Sequence, residues 1–227
     1  MIRAALDCSL GCALAIRQDQ TLLCSEFLPG ASRESDRFLS QWLVDCFQRQ
    51  QLEVTDVQHW TAGTGPGSFA GLRCGIALLK GICQTSKAHL RGVPSCYALA
   101  RNISDPQAGQ HIGVLHDGRC GQVILTRFTV TDDLDTVWQS DPVPLFPEEL
   151  LHKESLCDRW ICLNNLQLPE LPAELLSALQ QVDHLNAAFL LEATAWPWPN
   201  NPAEQEKSCE PLYVRQAVFV KPAPLRT

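Results

Sequence analysis

The sequence predicts an α/β protein of two lobes, and three observations carry that reading. A short apolar run, His59-Trp60-Thr61-Ala62, leads into the glycine-rich stretch Gly63-Thr64-Gly65-Pro66-Gly67-Ser68 and then into a long segment whose larger apolar residues recur at Leu72, Ile76, Leu79 and Cys83. That i, i+4, i+7, i+11 spacing is one face of a helix, so the stretch reads as strand, glycine loop, helix. Two groups of short apolar runs with tight polar breaks, Ile2 to Leu28 and His111 to Gln139, each read as a meander of strands. Between them Ser104-Asp105-Pro106-Gln107-Ala108-Gly109 is polar and turn-rich, which places a lobe boundary there, with the first lobe at 1–103 and a smaller second lobe at 104–227.

Each element follows in order. Ile2 to Asp7, Cys12 to Arg17 and Leu22 to Leu28 are predicted strands, joined at Ser9-Leu10-Gly11 and Gln18-Asp19-Gln20 by breaks short enough for hairpins. Arg33 to Gln50 is a predicted helix on which Phe38, Leu39, Trp42, Leu43, Cys46 and Phe47 cover about half of the circumference. A helix lying on one sheet needs an apolar arc of roughly 100°, so the surplus is buried either against a partner or under the chain's own loops. Ser68 is placed to cap the helix beginning near Ala70, and Gly71 and Gly75, four apart on it, permit close helix approach. Leu90 to Val93 reads as a strand and Ser95 to Asn102 as a helix. Beyond the boundary, strands are expected at His111 to Leu115, Gln122 to Val130, Thr136 to Gln139 and Arg159 to Leu163, and helices at Ala173 to Gln181 and Asn186 to Ala195. The proline density from Trp196 to Pro202 excludes regular structure there.

Composition excludes several classes. With 227 residues, 45% of them hydrophobic, the chain can bury a sizeable core. A net charge of −7 and no Lys/Arg run argue against a protein that holds nucleic acid on its own. The longest apolar runs, such as Cys74 to Leu79 and Ala187 to Leu191, fall short of the roughly 20 residues of a bilayer span, and an acid at Asp7 argues against a signal peptide. Eleven cysteines without a Cys-x-x-Cys pair then read as reduced, packed thiols of a cytoplasmic protein with no membrane association.

The glycine loop fits neither familiar phosphate loop. A Walker loop needs Gly-Lys-Ser/Thr where this chain has Gly71-Leu72-Arg73, and a dinucleotide fingerprint counted from Gly65 meets Ala70 in place of its third glycine. The helix start remains a candidate anion site, the alternative being a tight turn that docks a helix on a sheet. The Gly-x-Ser-x-Gly elbow of serine hydrolases is absent around Ser68. Asp117 with Arg119 reads either as a ligand-orienting pair or as a turn acid beside an exposed arginine. None of the six histidines lies three or four residues from another, and His111 and His116, five apart on a strand and turn, read as ordinary surface or core residues on opposite faces.

Taken whole, Gly-x-Gly-Pro-Gly-Ser-Phe-x-Gly-Leu-Arg-x-Gly from Gly63 to Gly75 resembles the signature of the TsaB (YeaZ) family, subunits of the bacterial machinery that makes threonylcarbamoyladenosine in tRNA. The resemblance extends to Asp7-Cys8-Ser9 after the first strand, to Asp117-Gly118-Arg119 and to Pro211-Leu212-Tyr213-Val214-Arg215, and it is silent between about Asp132 and Lys207. It departs from the family at Cys8, Glu34, Ser40 and Gln122, where a hydroxylic residue, His, Pro and Glu are common.

The resemblance implies the actin-like fold of the sugar kinase, Hsp70 and actin superfamily: two lobes of mixed sheets flanked by helices, with the terminal segment a candidate to return to the first lobe. It implies a non-catalytic scaffold subunit that dimerises with a TsaD-like catalytic paralogue, works with a TsaE-like ATPase, forms a homodimer when alone and meets tRNA only through the complex. Phe38, Trp42, Gly71, Leu72, Gly75 and Ile76 are the implied partner interface. Asp7, Gly65, Gly67 and Ser68 are candidates to face a nucleotide, Asp7 alternatively being a strand-end acid satisfied by turn amides. No cofactor is expected on this chain alone, with ATP or ADP a candidate at or near the partner interface. The His-x-x-x-His metal pair of TsaD falls on Ser95 and Leu99 when Gly92-Val93 is matched to the family's Gly-Val, so neither catalytic nor metal-binding residues are expected. The rival reading is a stand-alone actin-like enzyme, a small-molecule kinase or a metallopeptidase.

Overall fold

A computed structural model of the chain describes residues 1–28, 32–151, 157–164 and 166–214. The expected Arg215 and the terminal segment beyond it lie outside the described residues. The first sheet starts with β1 (Ile2–Asp7), β2 (Cys12–Gln18) and β3 (Thr21–Leu28), then α1 (Ser32–Arg49), β4 (His59–Gly63), α2 (Phe69–Ser86), β5 (His89–Val93) and α3 (Ser95–Arg101). The second holds β6 (His111–Arg119), β7 (Gln122–Val130), β8 (Thr136–Leu145), α4 (Pro147–Leu151), β9 (Arg159–Leu163), α5 (Ala173–Ala178) and β10 (Leu179–Val182), followed by α6 (Ala188–Glu192) and α7 (Pro202–Ser208).

The two sheets repeat one topology. The first runs β3-β2-β1-β4-β5 and the second, read in the matching direction, β8-β7-β6-β9-β10. In each, an antiparallel meander supplies three strands, and its first strand pairs in parallel with the fourth, which pairs in parallel with the fifth.

Period-2 alternation assigns the faces. Leu6, Leu14 and Ile16 point to the outer side of the first sheet, where they meet Leu39, Leu43 and Phe47 of α1 and Ile76 and Leu79 of α2. Their neighbours Ala5, Ala13 and Ala15 point inward, and these small residues let α3, α6 and the second sheet come close through Leu99, Leu190, Ile112 and Phe128. A third cluster, with Leu115, Leu125 and Trp160, lies under α4 and α5 on the far side of the second sheet. After α7, Cys209 packs in the outer core of the first sheet and the Leu212 amide donates to the Thr64 carbonyl at 2.8 Å.

Two expected helices are shorter than their patterns. The segment expected helical to Gln181 turns extended at Leu179, because the free edge of β9 offers a parallel ladder from Leu179 opposite Trp160 to Val182 opposite Leu163. The segment expected helical from Asn186 to Ala195 is helical only over Ala188–Glu192, since the carbonyls of Leu190, Leu191, Ala193 and Trp196 accept from the Arg91 guanidinium instead of continuing a helix. Two short helices went unread although both carry start signals. Glu149 caps the Phe146 amide beside Pro147 of α4, and Asn201 caps α7 with Pro202 in its first turn.

All eleven cysteines are free thiols, and only Cys74 and Cys120 are not buried. Burial pushes Cys24 and Cys162 up to about 11 and Cys46, Cys83, Cys96 and Cys157 up to about 12, so these stay protonated at neutral pH and pack as small apolar groups. Among the described residues no helix is long and apolar enough to cross a membrane.

Candidate functional site

The site sits where the two meanders face each other across a cleft of about 390 Å³. One wall is the β1–β2 turn and the glycine loop; the other is the β6–β7 hairpin, with Leu212 to Val214 closing one side.

The glycine loop is built to seat α2 on the β1–β2 turn. Ser68 caps the helix by accepting from the Gly71 amide at 3.2 Å, while its own amide donates to the Ser9 carbonyl at 2.6 Å. A Cβ on Gly67 would lie 2.6 Å from Ser9 Cβ, so glycine is what lets the loop lie against the turn. Gly67 and Ser68 do line the cleft.

Asp7 and Gly65 do not. Asp7 is 1% exposed and behind the cleft wall. Its Oδ1 accepts from the Ser9 amide at 2.8 Å and the Ser9 hydroxyl at 2.5 Å, and its Oδ2 accepts from the Ser95 hydroxyl. Burial raises its pKa and the Ser9 and Ser95 bonds oppose that shift. Gly65, at φ +97°, donates its amide to the Ser95 hydroxyl at 2.8 Å. The nucleotide-facing expectation is therefore corrected for these two: their polar atoms are consumed in tying β1, the loop and α3 together.

The expected partner interface divides. Phe38 of α1 is 60% exposed, and Trp42 is partly buried against the outer core. The four α2 positions point into the chain instead. Leu72 and Ile76 are 1% and 5% exposed, a Cβ on Gly75 would sit 2.8 Å from Cys8 Sγ, and one on Gly71 would collide with the Cys8 carbonyl oxygen. The two glycines make room for the β1–β2 turn, and close approach to the chain's own sheet is the physical reason the partner-facing expectation fails at Gly71, Leu72, Gly75 and Ile76. The outward side of α2 carries residues that sequence reasoning passed over. Arg73 lies 3.9 Å over the Phe69 ring and donates to the Tyr213 hydroxyl at 2.8 Å.

On the opposite wall Asp117 takes the turn-acid role. It accepts from the Arg119 amide at 2.7 Å and pairs with the guanidinium at 3.2 Å, the Arg119 side chain being 77% exposed. His116 is the group that sequence reasoning undervalued. It is 1% exposed, and neither ring nitrogen has a hydrogen-bond partner among the described residues. Desolvation alone pushes its pKa down to about 4, so the ring is neutral at pH 7. Between about pH 6.5 and about pH 4 the unfolded chain takes up a proton at this position that the folded chain refuses. The contribution is therefore intact above that window and lost as pH falls through it, by up to about 3 kcal/mol. Urea unfolding at both ends of the window is expected to show this loss in wild type and not in His116→Gln; equal pH slopes for the two proteins refute it.

Two lobes of repeated topology, each meander turned toward one cleft, define an actin-like protein. A family model described as TsaD, tRNA N6-adenosine threonylcarbamoyltransferase, matches residues 29–140. The tRNA threonylcarbamoyladenosine biosynthesis protein TsaB of Escherichia coli (strain K12) is 22% identical over 221 residues, covering 94% of each chain. Among solved structures, a Pseudomonas aeruginosa protein described as similar to peptidase YEAZ matches with a TM-score of 0.71 at 18% identity over 94% of this chain and 99% of that one. YeaZ from Pseudomonas aeruginosa matches with a TM-score of 0.67 at 18% identity over 93% and 99%. The chain is thus similar to TsaB (YeaZ) proteins over more than nine-tenths of its length and to the TsaD family model over residues 29–140.

Proposed function

We propose that this chain serves tRNA threonylcarbamoyladenosine formation as a non-catalytic scaffold subunit that pairs with a TsaD-like catalytic paralogue in the cytoplasm, works with a TsaE-like ATPase, self-associates when alone and meets tRNA only through the complex. ATP or ADP binds, in this reading, at or near the partner interface. The observation that carries the proposal is the state of Ser95 and Leu99, the positions that match the catalytic paralogue's metal-binding pair. Ser95 is fully buried with its hydroxyl held between Asp7 and Gly65, and Leu99 is fully buried in the inner core, so neither side chain is available to a metal. Phe38 gives the partner an apolar anchor, since a large hydrophobic side chain 60% exposed on a helix is the kind of residue an interface covers.

Co-expression with the cognate TsaD-like protein tests the reading. The two chains are expected to co-purify, and Phe38→Glu is expected to weaken their association at least tenfold, about 1.4 kcal/mol, with an unchanged melting temperature. Failure to associate at micromolar concentration sinks the scaffold role. The purified chain alone is expected neither to hydrolyse ATP appreciably nor to retain stoichiometric zinc or iron. A metal content near one per chain, lost together with an activity, overturns this second expectation.

A further inference from the structure

The end of the first sheet away from the cleft carries a concentration of positive charge that neither the cleft nor the partner anchor uses. The strand registers place Arg17 of β2 opposite Arg3 of β1, Arg3 opposite His59 of β4, and His59 opposite His89 of β5, one unbroken row across four strands. Period-2 alternation puts the row on the inner face, next to the rung of Ala15, Ala5, Thr61 and Arg91, and about 13 Å along β1 from Asp7. Like charges directly opposite one another on a sheet are destabilising, and this row sets two arginines side by side in a chain whose net charge is −7.

The described carboxylates do not balance that charge. Glu192 pairs with Arg17 at 2.7 Å and is shared with Arg101 at 3.3 Å, while among the described residues no carboxylate pairs with Arg3 or Arg91. Arg3 Nη2 donates instead to the Asp19 carbonyl at 2.9 Å. Three nitrogens of the row, Arg3 Nε, Arg17 Nε and His59 Nδ1, are buried with no hydrogen-bond partner among the described residues. Native proteins pair nearly all their buried polar atoms, so orphans on three neighbouring strands ask for one shared partner. Burial, and then the nearness of His89, Arg3 and Arg91, lowers the His59 pKa, and a positive field that resists a proton favours an anion. His89 stacks on His59 with ring centroids 5.0 Å apart and is exposed, so the row opens to solvent there, and Trp198 covers His59 edge-on at 4.8 Å.

We propose that this row binds a small oxyanion, a phosphate ion or the phosphate of a monoester, with Arg3, Arg17 and His59 as its donors and His89 at its mouth. Adjacent strands lie about 4.8 Å apart, so donors from three of them converge better on a tetrahedral ion with several acceptor oxygens than on a planar carboxylate with two. The row is on the inner face of the sheet and α1 packs on the outer one, so the site is separate from the partner anchor at Phe38 and independent of the scaffold reading.

The test uses the full chain alone at neutral pH and constant ionic strength. The ring nitrogens of His59 and His89 are followed in a nitrogen-15 spectrum while inorganic phosphate, glycerol 3-phosphate, chloride and a short RNA oligonucleotide are added in separate titrations. Both phosphates are expected to shift the His59 signals saturably in the millimolar range or tighter, and chloride is expected to leave them in place. Tighter binding of glycerol 3-phosphate supports a monoester as the source, and tighter binding of the free ion supports phosphate itself. Arg3→Met is expected to weaken phosphate binding about tenfold, whereas Arg3→Lys, which keeps the charge, stays within about threefold of wild type. The wild-type titration decides the matter even where a variant fails to fold. No saturable shift with either phosphate, an equal shift with chloride, unchanged phosphate binding in Arg3→Met, or a response confined to the RNA each overturns the proposal. Because no partner is present, failure here leaves the scaffold role standing, and failure of partner association leaves this site standing.

Discussion

Gly71→Val is expected to destabilise the chain by about 3 kcal/mol or more, whereas Gly81→Ala on the same helix is expected to stabilise it by about 0.5–1 kcal/mol. A side chain at Gly71 collides with the Cys8 carbonyl oxygen and meets Ser68 Cβ at 3.4 Å, and neither is the far end of a flexible group that can swing aside. Relief requires α2 to lift from the β1–β2 turn, which loosens the contact that Ser68 makes with Ser9 and, behind it, the Asp7 and Ser95 bonds. At Gly81 an added Cβ has nothing within 4 Å, so the substitution changes backbone propensity alone. Gly75→Arg follows Gly71→Val for the same reason: its Cβ meets Cys8 Sγ at 2.8 Å and the guanidinium is driven into an apolar core. Urea unfolding followed by circular dichroism separates the cases. Equal midpoints for Gly71→Val and Gly81→Ala would show that the seat of α2 is not a rigid contact and would return the glycine pair to a partner-facing role.

Arg91→Met is expected to cost about 3–5 kcal/mol, roughly 10 °C in melting temperature for a chain of this size. Arg91 is 5% exposed in β5, and among the described residues no carboxylate answers it. Its donors reach Thr61 Oγ1 at 3.2 Å and the carbonyls of Ala193 at 3.0 Å, Trp196 at 2.6 Å and Leu190 at 3.2 Å, and its guanidinium lies 4.4 Å from the Trp198 ring centroid. Desolvation pulls its pKa down to about 10, which still leaves it charged at pH 7. Methionine fills the volume and strands the carbonyls that end α6. Leaving buried acceptors unpaired is more expensive than the hydrogen bonds themselves are worth. Arg91→Lys keeps the charge without the fork and is expected to recover less than half of the loss. Thermal melts of the three proteins check the ranking; a methionine variant within 1 kcal/mol of wild type would mean that water replaces the guanidinium.

Much of this fold is legible because its signals are local. The first meander, the glycine loop and the face at Leu72, Ile76, Leu79 and Cys83 follow from periodicity and turn residues, and all four of those side chains are buried. What periodicity does not say is which surface a face meets. Gly71 and Gly75 flank the apolar stripe equally well whether they approach a partner or the chain's own turn, and only the position of Cys8 decides between the two. Asp7 is a similar case, since a strand-end acid looks the same facing a ligand or held by Ser9 and Ser95, and Ser95 lies 88 residues away in sequence. His116 could have been found: counting by twos from Ile112 and Val114 puts it on the inward face of β6, and a histidine in line with two core residues is a buried polar group in need of a partner. Arg91, a lone charge inside an apolar strand, carried the same kind of signal. β10 carried none, because Leu-Gln-Gln-Val continues a helical pattern until the edge of β9 captures it.

The inner core belongs to both sheets at once. Ala5, Ala13 and Ala15 of the first and Ile112, Val114 and Phe128 of the second are members of one buried cluster, stitched by α3 and α6. Swinging the two halves apart about a hinge, the motion by which a two-lobed protein closes on a large ligand, would wet that entire cluster at about 25 cal/mol per Å² of apolar surface. The halves are thus locked into a single mechanical body by the core they share.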